Sequence, residues 1–186
     1  MTNSPPRYIA LCGAPLAGKD EVAQILVNRY GAIQVDTAVP LRRGAMELYG
    51  LSWEDVATQE GKRREIEVCG QRYTVRQILG DLGCLLEDKY GSQINPELAV
   101  RKCDSLPPAP FYVFSGCRMD QGITYRNHGG HVIEVVRPGF EATHDFDCYD
   151  KSPVSYTIVN DGGPEDWHER LTGRVVRLFD SIYGGQ

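Results

Sequence analysis

One stretch, Gly13-Ala14-Pro15-Leu16-Ala17-Gly18-Lys19-Asp20, constrains this chain more than any other. It lies between a short apolar run, Tyr8 to Cys12, and a run from Glu21 to Tyr30 with apolar residues at helical spacing. A strand, a glycine-rich turn ending in Gly-Lys and then a helix make a phosphate-binding loop. Glycines let backbone N–H groups curl around an anion, and the helix N-terminus adds unpaired donors and a positive dipole end. Lys19 then reaches the β and γ phosphates of a nucleotide as a point charge. Gly13, Ala14, Ala17, Gly18, Lys19, Asp20 and Glu21 are the predicted nucleotide-binding residues. The position after the lysine is ordinarily Ser or Thr, whose hydroxyl holds Mg²⁺; here it is Asp20. A carboxylate also serves a hard cation, so Asp20 is the predicted metal ligand. The ordinary alternative, a glycine-rich turn with an exposed lysine, does not account for strand, spacing and helix agreeing.

At 186 residues, 41% hydrophobic and 24% charged, the chain suits one globular domain with a proper core. A formal net charge of −5 argues against a broad nucleic-acid or membrane-binding face. The start, Met1 to Arg7, has no apolar signal core and no long apolar run follows, so a cytoplasmic protein is expected. Cys12, Cys69, Cys84, Cys103, Cys117 and Cys148 form no CxxC pair and read as free thiols of a reducing compartment. His128 and His131 have a loose ligand-like spacing, but no Cys or carboxylate cluster supports a structural metal there.

Along the chain, Val22, Ala23, Ile25, Leu26 and Tyr30 share a helical face that Gly31 ends. Ala32 to Val35 reads as a short strand and Pro40 to Tyr49 as a helix closed by Gly50. Ser52 offers the N-cap of another short helix. Residues 65–73 read as a hairpin turning at Cys69-Gly70, with the basic triplet Lys62-Arg63-Arg64 at its start. That triplet reads as a solvated surface, with a basic arm closing over phosphates as the other reading. Thr74-Val75-Arg76-Gln77 is a capping box for a helix carrying Ile78, Leu79, Leu82, Leu86 and Tyr90 on one face as far as Gly91. Asn95-Pro96-Glu97 opens a further helix, and Leu106 to Pro110 is a stiff connector. Phe111 to Phe114, His131 to Val136 and Tyr156 to Val159 read as strands, and Arg118 to Asn127 as a helix. A final helix begins near Pro164. Strands alternating with helices predict an α/β fold, a three-layer sandwich around a parallel sheet of about five strands. Neither an internal repeat nor a long linker interrupts residues 1–186. Segments 59–73 and 140–153 are the candidates for a mobile lid.

With these landmarks placed, the chain from about Tyr8 to Leu178 resembles the phage-type deoxynucleoside monophosphate kinases, a branch of the P-loop NMP kinase fold. Gly18-Lys19-Asp20 resembles the family's own loop variant, which also places Asp after the lysine. Ala38-Val39-Pro40-Leu41-Arg42 is similar to a family segment Ala-Asp-Pro-Leu-Lys near the monophosphate site. Arg76 to Gly83 resembles Arg-x-x-Leu-Gln-x-x-Gly, and Phe114 to Arg118 sits where the family has a strand ending in Asp-x-Arg. His131 to Gly139 resembles a strand ending in Arg-Pro-Gly, and Ile158 to Gly162 falls in the loop beside the nucleotide base in related kinases. Departures accompany the matches. The family's Asp before the arginine is Gly116 here, its following Glu falls at Gly122, its helix Gln is Gly80, and its Asp before Pro-Leu is Val39.

The resemblance implies phosphoryl transfer from ATP, with Mg²⁺, to a deoxynucleoside monophosphate, one with a modified base included. Positioning and cations dominate that chemistry, and planar guanidinium groups suit phosphate. Lys19, Arg76 and Arg118 are the predicted catalytic residues. Arg42, Arg76, Arg118 and Arg137 are the predicted substrate-binding residues, each with a surface salt bridge as its ordinary alternative. Asn160 and Gly162 are expected at the adenine. Two other functions stay open: phosphorylation of a hydroxymethylated base within DNA, against which the acidic charge counts, and a nucleotide-binding protein without catalysis. The expected partner is a small nucleotide, with DNA only under the first alternative; no membrane is expected and a homodimer is left open. If phage-encoded, the chain would work in the host cytoplasm.

Overall fold

The structure is a computed structural model describing residues 7–141, 148–163 and 165–184. The chain falls into two compact units, Met1–Asp36 with Ala99–Gln186, and Thr37–Leu98.

The larger unit is built on a five-stranded sheet. Its strands are β1 (Tyr8–Cys12), β2 (Ile33–Gln34), β5 (Tyr112–Phe114), β6 (His131–Val136) and β7 (Val154–Val159), in the order β2-β5-β1-β6-β7. Every neighbouring pair is parallel, which places the loop after β1 at the C-terminal edge between two neighbours. All five residues of β1 are buried, as a central strand covered on both faces requires. Alternate residues feed two cores. Ile9, Leu11, Val113, Ile133 and Val135 pack with α1 (Lys19–Tyr30) and α7 (Trp167–Tyr183) through Val22, Leu26, Leu171, Val175 and Phe179. Tyr8, Ala10, Cys12, Phe114 and Val132 pack on the other side with Tyr125 of α6 (Gly122–Asn127) and with Ala99, Val100 and Cys103 of α5 (Ile94–Cys103). The result is the expected three-layer α/β sandwich. Phe111 anchors the first core, with ring centroids 5.6 Å from Phe179 and 5.0 Å from Tyr183. Removing the Phe179 ring would cost about 3–5 kcal/mol, the usual range for a buried phenylalanine.

The smaller unit joins α2 (Val39–Tyr49), α3 (Trp53–Ala57), a hairpin of β3 (Glu65–Val68) and β4 (Gln71–Thr74), and α4 (Val75–Tyr90). Its core is small: Ala45, Leu51, Val56 and Val75, with Met46, Tyr49, Ile66, Leu79 and Leu82 packed around them. Both of its predicted caps form: the Ser52–Asp55 box opens α3 and the Thr74–Gln77 box opens α4. Cys69 and Gly70 take φ of 51° and 78°, the left-handed pair that a two-residue hairpin turn needs. Asp55 also accepts from Arg64 at 2.7 Å, so the basic triplet contributes a structural ion pair.

Two expectations are corrected. Residues 118–121 are not helical, and α6 begins only at Gly122. The Met119 N–H donates to the Cys148 carbonyl at 2.7 Å and its carbonyl accepts from Asp150 N–H at 2.6 Å, a strand-like pairing that competes with helix. The apolar face of α4 is also shorter than its spacing suggests: Val75 and Ile78 are buried, whereas Tyr90 is 65% exposed. Among the described residues, no helix is long and apolar enough to cross a membrane. Of the segment 140–153, residues 142–147 lie outside the described residues.

Candidate active site

The loop leaves β1 at Gly13, where φ is 143° and a Cβ would stand 2.2 Å from the Val135 carbonyl oxygen. Only glycine lets the chain pass so close to β6. Leu16, at the exposed tip, takes φ of 62°, and Gly18 takes φ of 103° at the N-cap of α1. These turns bring Ala14 to Ala17 back on themselves, with Ala17 N–H donating to the Ala14 carbonyl at 3.2 Å. Lys19 Nζ donates to the carbonyls of Gly13 and Ala14, both at 2.8 Å, so its ammonium lies over the loop. Asp20 is exposed in the first turn of α1, beside the loop lysine. Glu21 in the same turn is paired with His168 Nε2 at 2.8 Å.

Asn160 braces this loop. Its N–H donates to the Val136 carbonyl at 2.7 Å, and its side-chain Nδ2 donates to the Ala17 carbonyl at 3.0 Å. The residue is 3% exposed, and its side-chain amide is engaged with the loop. Gly162 stands against the start of α7, where a Cβ would lie 2.2 Å from Trp167 Cα. Asp161 between them is held by Arg174 Nη2 at 2.7 Å. Arg137 reaches the loop from the end of β6: Nη1 donates to the Leu16 carbonyl at 3.4 Å, and its guanidinium lies 4.5 Å above the Phe140 ring.

Sequence reasoning missed Glu134. It pairs in register with Cys12, the residue immediately before the loop, and its side chain is only 9% exposed. Burial opposes its charge, but Lys151 Nζ at 2.8 Å, Tyr149 Oη at 2.7 Å and Thr157 Oγ1 at 3.2 Å donate to it and outweigh burial. The carboxyl is held below the usual glutamate range, and Lys151 is held above the usual lysine range by the same contact. Glu134, Tyr149 and Lys151 line a cavity of about 470 Å³ that Ala14 of the loop also lines. The available signal was a single carboxylate within the apolar run His131 to Val136.

The structure brings Gly13 to Glu21, Arg137 and Asn160 together around the loop. Arg118 is exposed after β5 in the larger unit, beside the Met119 pairing, while Arg42 and Arg76 belong to the smaller unit. There Arg76 Nη2 donates to Gln59 Oε1 at 2.6 Å, and Arg42 is half-buried in the first turns of α2. Gly122 also finds its reason: a Cβ would lie 2.8 Å from Pro153 Cγ and 3.3 Å from Val132 Cγ2. Packing, with no space for a longer side chain, explains glycine at that position.

The chemistry of the loop is compatible with a nucleotide-borne Mg²⁺: Asp20 presents an exposed carboxylate at the helix start, and Mg²⁺ is commonly held by one or two carboxylates plus substrate phosphates. Among the described residues no group of three or more His, Cys, Asp or Glu forms an all-protein metal site.

No family model matches the chain. A protein of Acanthamoeba polyphaga mimivirus, named "Putative deoxynucleotide monophosphate kinase", is 30% identical over 187 residues, spanning 90% of this chain and 95% of the relative. Among solved structures, TT1252 from Thermus thermophilus superposes with a TM-score of 0.53 at 14% identity, covering 97% of this chain and all of that one (100%). The dephospho-CoA kinase of Campylobacter jejuni gives 0.49 at 14% identity, over 97% and 99% of the two chains. The parallel sheet with its loop after the central strand, together with the mimivirus relative, defines a nucleotide kinase-like phosphotransferase. The chain belongs to the deoxynucleotide monophosphate kinase family.

Proposed function

We propose that this chain transfers the γ-phosphoryl group of ATP to a deoxynucleoside monophosphate, giving the diphosphate and ADP. The observation that carries the reading is the loop: Lys19 lies over a tight turn whose far side is braced by the buried Asn160 amide. A pre-shaped loop aims its N–H groups at phosphate without reorganising during the reaction, which is where phosphoryl transfer gains most.

An oxygen of the acceptor phosphate attacks the γ-phosphorus, and the bond to the β–γ bridging oxygen breaks in line. Lys19 and the N–H groups from Ala14 to Lys19 hold the donor phosphates. Asp20 would hold a Mg²⁺ ion brought by the nucleotide, and that ion would supply charge neutralisation on the leaving diphosphate. Arg118 and Arg137 are the larger unit's candidates for contact with transferring phosphate, and Arg42 and Arg76 are the smaller unit's own candidates for phosphate contact. Asn160 is a positioning residue for the loop, and Gly162 lets the base-side turn approach α7.

The test is transfer from γ-labelled ATP with Mg²⁺ to a panel of deoxynucleoside monophosphates, with hydroxymethyl-base DNA alongside. Labelled nucleoside diphosphate supports the reading and names the acceptor. Label on DNA alone replaces it with a base kinase. ATP binding without transfer to any acceptor replaces it with a nucleotide-binding protein.

A further inference from the structure

We propose that Lys151 is a further phosphate-contacting residue of this kinase, held beside the loop by Glu134 and handed from that carboxylate to the phosphate of the acceptor nucleotide. The inference rests on the kinase reading and adds to it a further cation, from a part of the chain that carries no recognisable phosphate motif.

Three observations carry it. First, Lys151, Glu134 and Ala14 line one cavity of about 470 Å³, so the ammonium and the loop face a common space. That space is large enough for the phosphate-bearing end of a nucleotide. Second, the pair is lopsided. The Lys151 side chain is 71% exposed and the Glu134 side chain 9%, with Nζ to Oε1 at 2.8 Å. An ion pair open to water on one side is weak, and a phosphate monoester, at about −1.5 to −2 charge near neutral pH, competes well against a single carboxylate for it. Third, Glu134 does not need Lys151 to remain satisfied. The hydroxyls of Tyr149 and Thr157 still donate to its two oxygens, so the exchange does not strand a buried charge without hydrogen bonds.

Backbone geometry fixes the reach. Met119 N–H donates to the Cys148 carbonyl and Asp150 N–H donates to the Met119 carbonyl, at 2.7 Å and 2.6 Å. This pairing ties the segment bearing Lys151 to the residue that follows Arg118. Tyr149 Oη, bound to Glu134, pins the same segment to β6. Lys151 is thus presented by a strap fastened at two points, and only its flexible stem has to move. The acceptor is favoured over the donor because the loop amides and Lys19 already serve the donor phosphates.

The experiment compares wild type, Lys151→Ala, Lys151→Arg and Glu134→Gln by steady-state kinetics with each substrate varied in turn. Calorimetric binding of the best deoxynucleoside monophosphate without ATP is measured in parallel, and circular dichroism checks folding. Lys151→Ala is expected to weaken acceptor binding and raise acceptor KM by about 10-fold or more, the scale of a lost charged hydrogen bond, with ATP KM unchanged. Lys151→Arg should restore most of the affinity. Glu134→Gln should leave ATP KM unchanged while acceptor KM moves by a few-fold, which a purely structural role would not select. Unchanged acceptor affinity in folded Lys151→Ala, or a rise confined to ATP KM, overturns the inference while the kinase reading stands. A wild type that binds no deoxynucleoside monophosphate overturns both.

Discussion

Asn160 Nδ2 donates to the Ala17 carbonyl at 3.0 Å across 143 residues of chain, and a Cβ on Gly18 would stand 2.7 Å from that same nitrogen. The loop after β1 is therefore shaped from two directions. Its glycines permit the path, and a buried amide from the edge of β7 selects it.

Asn160→Ala should lose this brace and leave the Ala17 carbonyl without that donor. A buried group deprived of its partner costs about 1–3 kcal/mol, so urea unfolding should move by that amount. ATP KM should rise with it, because the loop then samples other shapes. Unchanged stability and unchanged ATP KM would show that the amide is incidental.

Gly18→Ala attacks the same contact from the other side, with an added penalty for a side chain at φ of 103°. ATP affinity should fall more than in Asn160→Ala, as read by calorimetry on the folded variant. Wild-type affinity would contradict the braced loop.

Much of this architecture is legible locally. Gly31 and Gly50 end their helices in left-handed conformations, the Thr74–Gln77 box opens α4, and the Cys69-Gly70 turn closes the hairpin, as neighbouring residues alone indicate. What was not legible depends on distant partners. Residues 118–121 fail to form helix because 148–150 pair with Met119. Glu134 gains its interest from Lys151, Tyr149 and Thr157, none within ten residues of it in sequence. Gly122 reads as a lost acidic group until Pro153 and Val132 are seen filling the space.

Gly122→Glu follows from that packing. Restoring the acid should not raise activity; it should overpack the contact with Pro153 and Val132 and destabilise by about 1–3 kcal/mol in chemical denaturation. A variant as stable as wild type and more active would show that the position retains a functional acid site.

Asp55 gives the smaller unit an acid limit. Arg64 first, then Ser52, lower its carboxyl to about 2. In the unfolded chain the group returns to about 3.9, so its stabilisation is present above that value and fades as pH falls toward the folded value. Urea midpoints recorded from pH 5 downward should therefore decline more steeply in wild type than in Asp55→Asn, which is less stable at neutral pH but lacks this proton uptake. Parallel profiles would contradict the depressed carboxyl.

Thiol chemistry tests the second core of the larger unit, where Cys12, Cys103 and Cys117 all lie. Cys69, Cys84 and Cys148 are exposed, whereas Cys12, Cys103 and Cys117 are buried. Burial pushes the Cys12 thiol up to about 12 and Cys103 to about 11, which suppresses the reactive thiolate. An aromatic disulfide reagent should modify the three exposed thiols quickly in the native protein and all six cysteines of the chain only after unfolding. Fast labelling of Cys12 in the folded protein would contradict the packing at the end of β1.

The most direct measurement is the initial rate of label transfer from γ-labelled ATP to a deoxynucleoside monophosphate, wild type against Lys19→Ala, both verified as folded. Labelled diphosphate should form with wild type and fall by about 10²-fold or more in the variant, the scale of losing a group that stabilises transferring phosphate. A folded Lys19→Ala protein that turns over at the wild-type rate would contradict a phosphate-transferring loop at Gly13 to Asp20.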